Sequence, residues 1–563
     1  MICGSKLDSG TFGIVYEAEK VKGTISTSHG LQVRTSYALK RNLKENSVYF
    51  IGALRELDVF MKLKHCYIVP LDTVIFDNPF VDELGVTVSK KCFSPLKRKD
   101  RKGQVDDKIH FVFPLATCNL STYIYSSNIK DIKRFMVQIL LGLENMHNNG
   151  IIHRDVKPSN ILYFQNLTDI DGSPGVCTIC DLGFSKPFTK QGYQSNMVCT
   201  SVYRPPEVIL NSYVYDYRVD VWSVGCVLFE MVTRTSFLSE RDDNNNKLLK
   251  NILESHPEKV SLRQLRDMNL RYNQEDDRSI TRIFHASGDD NRRSFHDRLM
   301  FNSAEYRANF LKYIGSDTLF IDLMSKMLKF DPMERCTMTQ ALDHEFFSDL
   351  GEHISKVRNK YEVKLPSYTF RIPKLIERKW GCEFLSELYE EKDKKVWHSH
   401  RERITFQTLD IYDRYLNWTV DNRSVAPNAL ESEEKGLYLT KKEARQRFYT
   451  ILYMCIKYFC ATSLTTSIRE ILYDYMSTEC QVQMENFERS ILVHVLNYQM
   501  YRPTLYEESD AFGVILEASD IERLLVIFMY NNNIEGRTPA TVLGRYFGNL
   551  RSMSREEAMK GEI

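Results

Sequence analysis

Apolar positions recur with a helical period in three long stretches of the chain. In residues 50–63, 409–418 and 447–461, apolar side chains are spaced three and four positions apart, which predicts helices. The stretch 447–461 is apolar at nearly every position and therefore predicts a central helix that is buried on most sides. A short apolar run ending just before Asp181 is typical of a buried strand instead.

Polar and proline-containing stretches separate these elements. Residues 89–104 are basic and contain a glycine, which predicts an exposed loop; Lys97 to Lys102 could form an anion-binding or nuclear-localisation patch or a plain solvated surface. Residues 239–300 contain three polar runs that favour no particular structure. Pro366 and Pro373 lie in a charged stretch, so residues 348–375 are predicted to be a linker.

Composition narrows the class of protein. A chain of 563 residues is too long for one ordinary core, so two or three domains are expected. The net charge of +1 argues against direct nucleic-acid binding, and the thirteen cysteines suit reduced thiols in the nucleus or cytoplasm. No apolar run reaches the length of a membrane span, so no membrane contact is expected.

The candidate chemistry is concentrated in residues 151–183. An aspartate at 155 and an asparagine at 160, on one tight loop, can orient a hydroxyl group and hold a metal ion. Asp181 suits the other side of that metal, and Lys157 suits a transferring phosphoryl group. These residue types predict phosphoryl transfer.

This stretch resembles the catalytic loop and metal motif of eukaryotic protein kinases, with D-L-G in place of D-F-G. The resemblance extends over residues 2–347. It implies ATP and Mg²⁺ as cofactors, with Asp155 orienting the substrate hydroxyl, Lys157 stabilising the phosphoryl group, and Asn160 and Asp181 holding the metal.

The resemblance also assigns the nucleotide-binding residues. Residues 7–16 resemble a glycine-rich loop, with Asp8 replacing its first glycine, and the strand 37–40 resembles V-A-I-K. Phe12 has no hydroxyl group, so inhibitory phosphorylation at its position is excluded. The implied nucleotide-binding set is Gly10, Gly13, Val15, Ala38, Lys40 with its partner Glu56, the gatekeeper Phe113, Leu115, Ala116 and Leu162.

Regulation is implied by the likeness to cyclin-dependent kinases. The predicted helix 50–63 contains Ala53-Leu54-Arg55-Glu56, which resembles the end of the P-S-T-A-I-R-E helix of that family. Ser195 falls where the family normally has an activating phosphothreonine. A phosphate there could be held by three cations, but Ser195 could equally be an ordinary loop serine. The implied regulatory residues are Thr11, Ser195, Arg55, Arg154 and Lys186, while Thr200 joins the catalytic set.

The C-terminal third resembles a cyclin box over about residues 380–510, although an unrelated helical bundle stays open. Tyr412-Asp-Arg-Tyr-Leu416 resembles the second-helix pattern, Lys457 the third-helix lysine and Glu488 the fifth-helix glutamate. Asp413, Lys457 and Glu488 are therefore the candidate cyclin-type residues. The acidic pair that usually comes two residues after the lysine is absent. Phe459 and Cys460 are found there instead.

The expected fold is an α+β bilobal kinase followed by an all-α cyclin-like domain. The expected boundaries are 1–347 for the kinase, with lobes at about 1–115 and 116–347, then 376–510 for the cyclin-like domain and 511–563 for a partial unit or tail. The expected activity is proline-directed protein Ser/Thr phosphorylation, because Arg204 follows the pattern for accepting Ser/Thr-Pro. The kinase–cyclin contact could be intramolecular or intermolecular. An inert pseudokinase that recruits partners, or dependence on an external cyclin, are the alternatives.

Overall fold

A computed structural model describes most of the predicted kinase region and three of the C-terminal helices. The described residues are 2–9, 13–21, 34–42, 47–76, 109–126, 131–188, 199–210, 215–238, 244–256, 260–272, 277–286, 317–362, 376–390, 401–421, 441–459, 504, 524 and 541–543.

The described residues fall into two compact units. The first lies within Met1–Leu43, Lys62–Val74 and Ile109–Lys364, and the second within Lys44–Met61, Ile75–Lys108 and Leu365–Ile563. Almost all of the helix predicted at 50–63 therefore belongs to the same unit as the C-terminal helices.

Antiparallel strands build the amino-terminal part of the first unit. The five-stranded sheet has the order β1-β2-β3-β5-β4. Its strands are β1 (Ile2–Ser9), β2 (Gly13–Val21), β3 (Arg34–Asn42), β4 (Thr73–Phe76) and β5 (Ile109–Pro114). Lys40 pairs with Val15 on one side and Phe111 on the other, so it lies on the central strand of the sheet.

Helices and short strands form the rest of the first unit. The strands are β6 (Cys118–Asn119), β7 (Ile151–Ile152), β8 (Ile161–Thr168), β9 (Pro174–Ile179) and β10 (Lys186–Pro187). The helices are α2 (Leu120–Ser126), α3 (Ile132–Asn148), α4 (Pro206–Ile209), α5 (Arg218–Thr233), α6 (Asn245–Ser255), α7 (Leu262–Tyr272), α8 (Asp277–Ala286), α9 (Asp317–Met327), α10 (Met338–Leu342) and α11 (Gly351–Lys360). In the numbering by chain order, α1 (Ser47–Lys62) precedes these helices.

The buried helix α3 fixes the position of β9 because a glycine allows close approach. A Cβ atom on Gly142 would lie 2.7 Å from the Ile179 side chain and 2.9 Å from the Tyr67 carbonyl. Ile179 N–H donates to that same carbonyl of Tyr67 at 2.9 Å. The end of β9, directly before Asp181, is thereby held against the core of the unit.

Helix α11 lies within the stretch predicted to be a linker. Residues 348–375 carry many charges and two prolines, but Gly351–Lys360 is helical and the first unit extends to Lys364. Arg358 donates to both carboxylate oxygens of Glu144 on α3, at 2.7 and 2.9 Å. Tyr67 Oη is 2.8 Å from His353 Nε2 and donates to Asp169 Oδ1 at 2.7 Å. Two polar side chains of that stretch, Arg358 and His353, are therefore partners of groups in the kinase region.

The described helices of the second unit, apart from α1, are α12 (Ile376–Glu390), α13 (Arg401–Asp421) and α14 (Lys441–Phe459). Gly381 lets α12 pack closely, since a Cβ atom there would lie 3.0 Å from both Phe448 and Tyr412. Arg378 donates to both oxygens of buried Asp413, at 2.6 and 3.1 Å. The helices predicted at 409–418 and 447–461 are confirmed, the second buried along most of its described length.

In the described part of the chain, no helix combines the length and apolar character that crossing a membrane requires.

A buried ion pair joins α4 to the segment just before α10. It provides a test of the stability of the first unit. Arg335 donates to both carboxylate oxygens of Glu207, at 2.8 and 3.0 Å, and both side chains are at most 1% exposed. We expect Arg335→Met to lower the free energy of unfolding by about 3–5 kcal/mol, because it leaves the Glu207 carboxylate buried without its cation. Urea unfolding followed by tryptophan fluorescence measures this loss.

The matched control is the double variant Arg335→Met with Glu207→Leu. It removes both charges, so its loss should be smaller than that of Arg335→Met alone. A double variant that is less stable than the single variant would contradict the assignment of the pair as the source of the effect.

Candidate active site

The catalytic loop follows β7 and is held in an uncommon backbone conformation. Arg154 has φ 68°, in the left-handed region that residues other than glycine rarely adopt. The Asp220 carboxylate accepts from the backbone N–H groups of His153 and Arg154, both at 2.8 Å. Asp220, at the start of α5, is fully buried and also lies 2.9 Å from His147 Nε2. These bonds supply the partners that an exposed loop backbone would otherwise take from water.

Asp155 is the centre of a hydrogen-bonded group. Its Oδ1 accepts from the Thr200 hydroxyl group at 2.9 Å and from the Thr200 N–H at 3.1 Å. Its Oδ2 accepts from Asn160 Nδ2 at 3.0 Å and is 2.8 Å from Lys157 Nζ. Lys157 Nζ donates to the Thr200 hydroxyl at 3.0 Å. All four residues of the predicted catalytic set are thus in one network.

The side-chain nitrogen of Asn160 donates to Asp155. The side-chain oxygen, Oδ1, is therefore the atom of Asn160 that could bind a metal ion. The Asn160 Nδ2 group donates to both the backbone oxygen and Oδ2 of Asp155. The backbone of Asn160 accepts from Cys180 N–H at 2.9 Å, and this bond places Asp181 beside the catalytic loop. Asp181 has φ 56°, a left-handed conformation at the turn after β9.

Lys40 reaches this group from the sheet. Its Nζ is 2.7 Å from Asp181 Oδ1, and the side chain is nearly buried. Burial opposes the negative charge on Asp181, but the Lys40 ammonium group outweighs it and lowers the pKa of the carboxyl group. Asp181 is therefore an anion at neutral pH, as a carboxylate that binds a metal ion must be.

The donor set fits a hard divalent cation such as Mg²⁺. Such ions prefer carboxylate and amide oxygens, and the candidate ligands are the Asp181 carboxylate and the Asn160 carbonyl oxygen. When bound, Mg²⁺ with ATP supplies the phosphoryl group and neutralises charge on the phosphates. Asp155 would orient the acceptor hydroxyl group. Lys157 would stabilise the negative charge of the phosphoryl group.

The nucleotide-binding predictions divide between described and undescribed residues. Phe113 is buried at the end of β5, Leu115 and Ala116 follow it, and Val15, Ala38 and Leu162 are half-buried on β2, β3 and β8. Gly13 begins β2, whereas Gly10 and Thr11 lie outside the described residues. Glu56 is buried on α1 in the second unit, and its pairing with Lys40 stays a prediction.

The structure describes only some of the predicted regulatory residues. Ser195 lies outside the described residues, and Arg55 is placed on α1 without a described side chain. Arg154 and Lys186 are buried; Arg154 Nε donates to the Phe184 carbonyl at 2.7 Å. Arg154 Nη1 is buried and has no hydrogen-bond partner among the described residues. Lys457 lies on α14 without a described side chain, and Glu488 is outside the described residues.

His147 is a site residue that the sequence reasoning missed. It lies in the last turn of α3 and contacts Asp220, far along the chain. The only signal was a histidine near a helix carboxyl terminus just before the catalytic loop, and that is a weak one.

The fold and the site suit phosphoryl transfer, with Lys40 of the sheet beside Asp181, an aspartate that could hold a metal ion, and both near the loop that carries Asp155. The family model for the protein kinase domain matches residues 3–347, and the chain belongs to that family.

The relatives that this chain resembles are named as protein kinases. The chain is 29% identical to mitogen-activated protein kinase 2 of Arabidopsis thaliana over 335 residues, covering 58% of this chain and 74% of that protein. It is 31% identical to mitogen-activated protein kinase 5 of the same plant, covering 48% and 62%. It is 32% identical to the serine/threonine-protein kinase crk1 of Schizosaccharomyces pombe, covering 39% and 56%. The chain thus spans less than two thirds of the length of two of these three relatives.

The pKa of Asp220 generates a test of the loop anchor. Burial opposes its charge, but hydrogen bonding and attraction from His147, the nearby His153 and the Arg154 N–H together lower the pKa of Asp220 below its ordinary value of 3.8. A lowered folded-state pKa stabilises the fold above pH 3.8, and this stabilisation is lost as the pH falls through the folded-state pKa.

We expect Asp220→Asn to lower the free energy of unfolding by about 1.5–3 kcal/mol at pH 7, the range for hydrogen bonds to charged groups. The difference from the unmodified protein should shrink as the pH is lowered through 3.8. Melting temperatures measured from pH 7 to 3 check this. Asp216→Asn, on the partly exposed residue that precedes α5, is the control. A gap for Asp220→Asn that stays constant over this range would contradict the charge assignment.

Proposed function

We propose that this chain is an ATP- and Mg²⁺-dependent protein Ser/Thr kinase of the group that contains the mitogen-activated and cyclin-dependent kinases. The observation that carries the proposal is the network of Asp155, Lys157, Asn160 and Thr200, with Asp181 and Lys40 beside it. An inert pseudokinase is disfavoured because the lysine, the catalytic aspartate and the metal aspartate are all present and mutually oriented. The names of the relatives support the same group.

A proline-directed preference is part of the proposal. Cys199 has φ 62°, and its carbonyl accepts from Arg204 Nη2 at 3.1 Å. This carbonyl therefore needs no N–H donor from a bound peptide, and proline has no N–H to give. The arrangement supports protein substrates in which Pro follows the target Ser or Thr.

Activation by the C-terminal helices in cis is the finer part of the proposal. Most of α1, which carries Glu56, is in the same compact unit as α12, α13 and α14. The likeness of residues 380–510 to a cyclin box supports a cyclin-like role for these helices. An activating phosphate on Ser195 is also proposed, because Ser195 falls where cyclin-dependent kinases normally carry an activating phosphothreonine.

The activity test is transfer of ³²P from Mg-ATP to a Ser-Pro peptide by the full chain. We expect Asp155→Asn to lower kcat by about 10²–10⁴-fold, because it removes the group that accepts the hydroxyl proton. Asp169→Asn, at a buried aspartate outside the catalytic network, controls for general loss of structure.

Equal activity on Ser-Pro and Ser-Ala peptides would contradict the proposed proline preference. Lack of turnover by the full chain, even with an added external cyclin, would favour the pseudokinase.

Dilution separates activation in cis from activation between chains. An intramolecular contact has an effective concentration independent of protein concentration, of order mM for short flexible linkers. We therefore expect specific activity to stay constant when the full chain is diluted from about micromolar to nanomolar concentration. Specific activity that falls on dilution and returns with added chain would indicate pairing between two molecules.

A further inference from the structure

A buried histidine and two aspartates of the first unit form a cluster that the catalytic network does not include. His353 lies on α11 and is 7% exposed. Asp169 and Asp171 lie between β8 and β9, where Asp169 is buried and Asp171 is exposed. One potential ligand atom from each of the three residues lies within 4.8 Å of the other two. Imidazole nitrogens and carboxylate oxygens are both common metal ligands, so the hydrogen bonds of the cluster decide whether a metal ion fits.

The hydrogen bonds of Tyr67 determine which nitrogen of His353 carries a proton. The Tyr67 hydroxyl group has one proton, which it donates to Asp169 Oδ1 at 2.7 Å. The same oxygen is 2.8 Å from His353 Nε2, and it therefore accepts from an N–H group there. In a neutral ring, the other nitrogen, Nδ1, then has a lone pair and no proton.

The Nδ1 atom of His353 faces a carboxylate that has no proton to share. Nδ1 is buried and has no hydrogen-bond partner among the described residues. Asp171 Oδ2 lies 3.6 Å from it. Burial opposes the charge on Asp171, but hydrogen bonds from Ser173 outweigh it and lower the pKa of the carboxyl group, which is an anion at neutral pH. A lone pair and an anion at this distance repel each other unless a cation lies between them.

The spacing of these two atoms suits a metal ion. In tetrahedral sites, Zn²⁺ binds histidine nitrogen and carboxylate oxygen at about 2.0–2.2 Å, so two of its ligand atoms are about 3.4 Å apart. The distance from His353 Nδ1 to Asp171 Oδ2, 3.6 Å, is close to that value. A direct hydrogen bond between them would instead need about 2.7–3.2 Å. Because Asp171 is exposed, water can supply a further ligand.

The partners around the cluster match the support that a metal-binding histidine has. Such a histidine usually donates its other N–H to an acceptor, which fixes the tautomer of the ring. Here that acceptor is Tyr67, which Asp169 holds in turn. Asp169 Oδ2 accepts from Gln138 Nε2, and a carboxylate oxygen can accept a second contact. Arg134 Nη1, 3.9 Å from Asp169 Oδ2, offsets one of the two carboxylate charges and leaves the other for a metal cation.

We propose that His353, Asp171 and Asp169 bind Zn²⁺, and that the ion joins α11 to the turn between β8 and β9. The imidazole ligand favours zinc over Mg²⁺, which prefers oxygen ligands and keeps several waters. Strand β8 begins directly after Asn160, and β9 ends two residues before Asp181. The ion thus holds the closed end of the hairpin whose open end carries both candidate Mg²⁺ ligands. The zinc site shares no residue with the catalytic network and is independent of the proposed kinase activity.

The test is hydrogen–deuterium exchange of the full chain with and without Zn²⁺, in excess Mg²⁺ so that magnesium sites are occupied. We expect Zn²⁺ to slow exchange of the amides of residues 169–173 and of α11, because an ion that binds only the closed site opposes its opening. At about a hundred times the dissociation constant, amides that exchange only through this opening should slow by about a hundredfold. Mg²⁺ alone should have no such effect.

The variant Asp171→Asn separates this site from other groups of the chain that can bind zinc, such as its free cysteines. It removes a ligand charge at an exposed position and keeps an oxygen that can accept from the Ser173 N–H. We expect it to weaken Zn²⁺ binding at this site by about tenfold or more, and the slowing to shrink accordingly. Asp349→Asn, at an exposed aspartate just before α11 that pairs with Lys133, is the matched control and should keep the full slowing.

Three results would overturn the proposal. Equal slowing in Asp171→Asn and in the unmodified chain would show that the zinc effect arises at another site. Equal slowing by Mg²⁺ alone would show that the cluster does not select zinc. If these amides do not slow in Zn²⁺ up to millimolar concentration, His353 Nδ1 carries a proton and forms a plain ion pair with Asp171. Each of these results is read from exchange and does not depend on whether the chain transfers phosphate.

Discussion

The bond between the Asp220 carboxylate and two backbone N–H groups is the constraint on which the catalytic site depends. It holds Arg154 in a left-handed conformation, and Asp155 comes directly after that residue. Such a conformation costs of order 1–3 kcal/mol, so it persists only where surrounding bonds determine it. The carboxylate is itself kept ionised by His147 and by the N–H groups that it anchors. The orientation of Asp155 therefore depends on a residue at the start of α5.

Local sequence predicted which residues would meet at the candidate site but not which groups hold them there. Asp155, Asn160 and Asp181 are close in sequence, and the glycine- and proline-marked turns around them limit how the loop can fold. The partners that hold them are distant, as His147 is from Asp220 and Arg335 from Glu207. A long-range bond between single polar side chains leaves no period or spacing in the sequence, so these contacts could not be predicted from pattern alone.

The predicted linker shows the same limit for the fold. Residues 351–360 have few apolar positions, so their helix gives only a faint amphipathic signal. Their docking depends on Arg358 and His353, whose partners on α3 and around Tyr67 are supplied only by the tertiary structure. In contrast, α14 is apolar along most of its length, and its burial followed directly from the sequence. A helix that is apolar on most sides predicts burial, whereas a charge predicts exposure only until a partner is known.

The assignment of α1 to the second unit groups this helix with the C-terminal helices, although more than 300 residues separate them in the chain. Here the helix carries a buried Asp58 whose donor, Tyr458, is covalently part of the same chain. If Asp58 stayed buried without that donor, its carboxylate would lose a hydrogen bond that water could not replace. The position of α1 within the second unit and the packing of α14 are therefore linked through one buried polar contact.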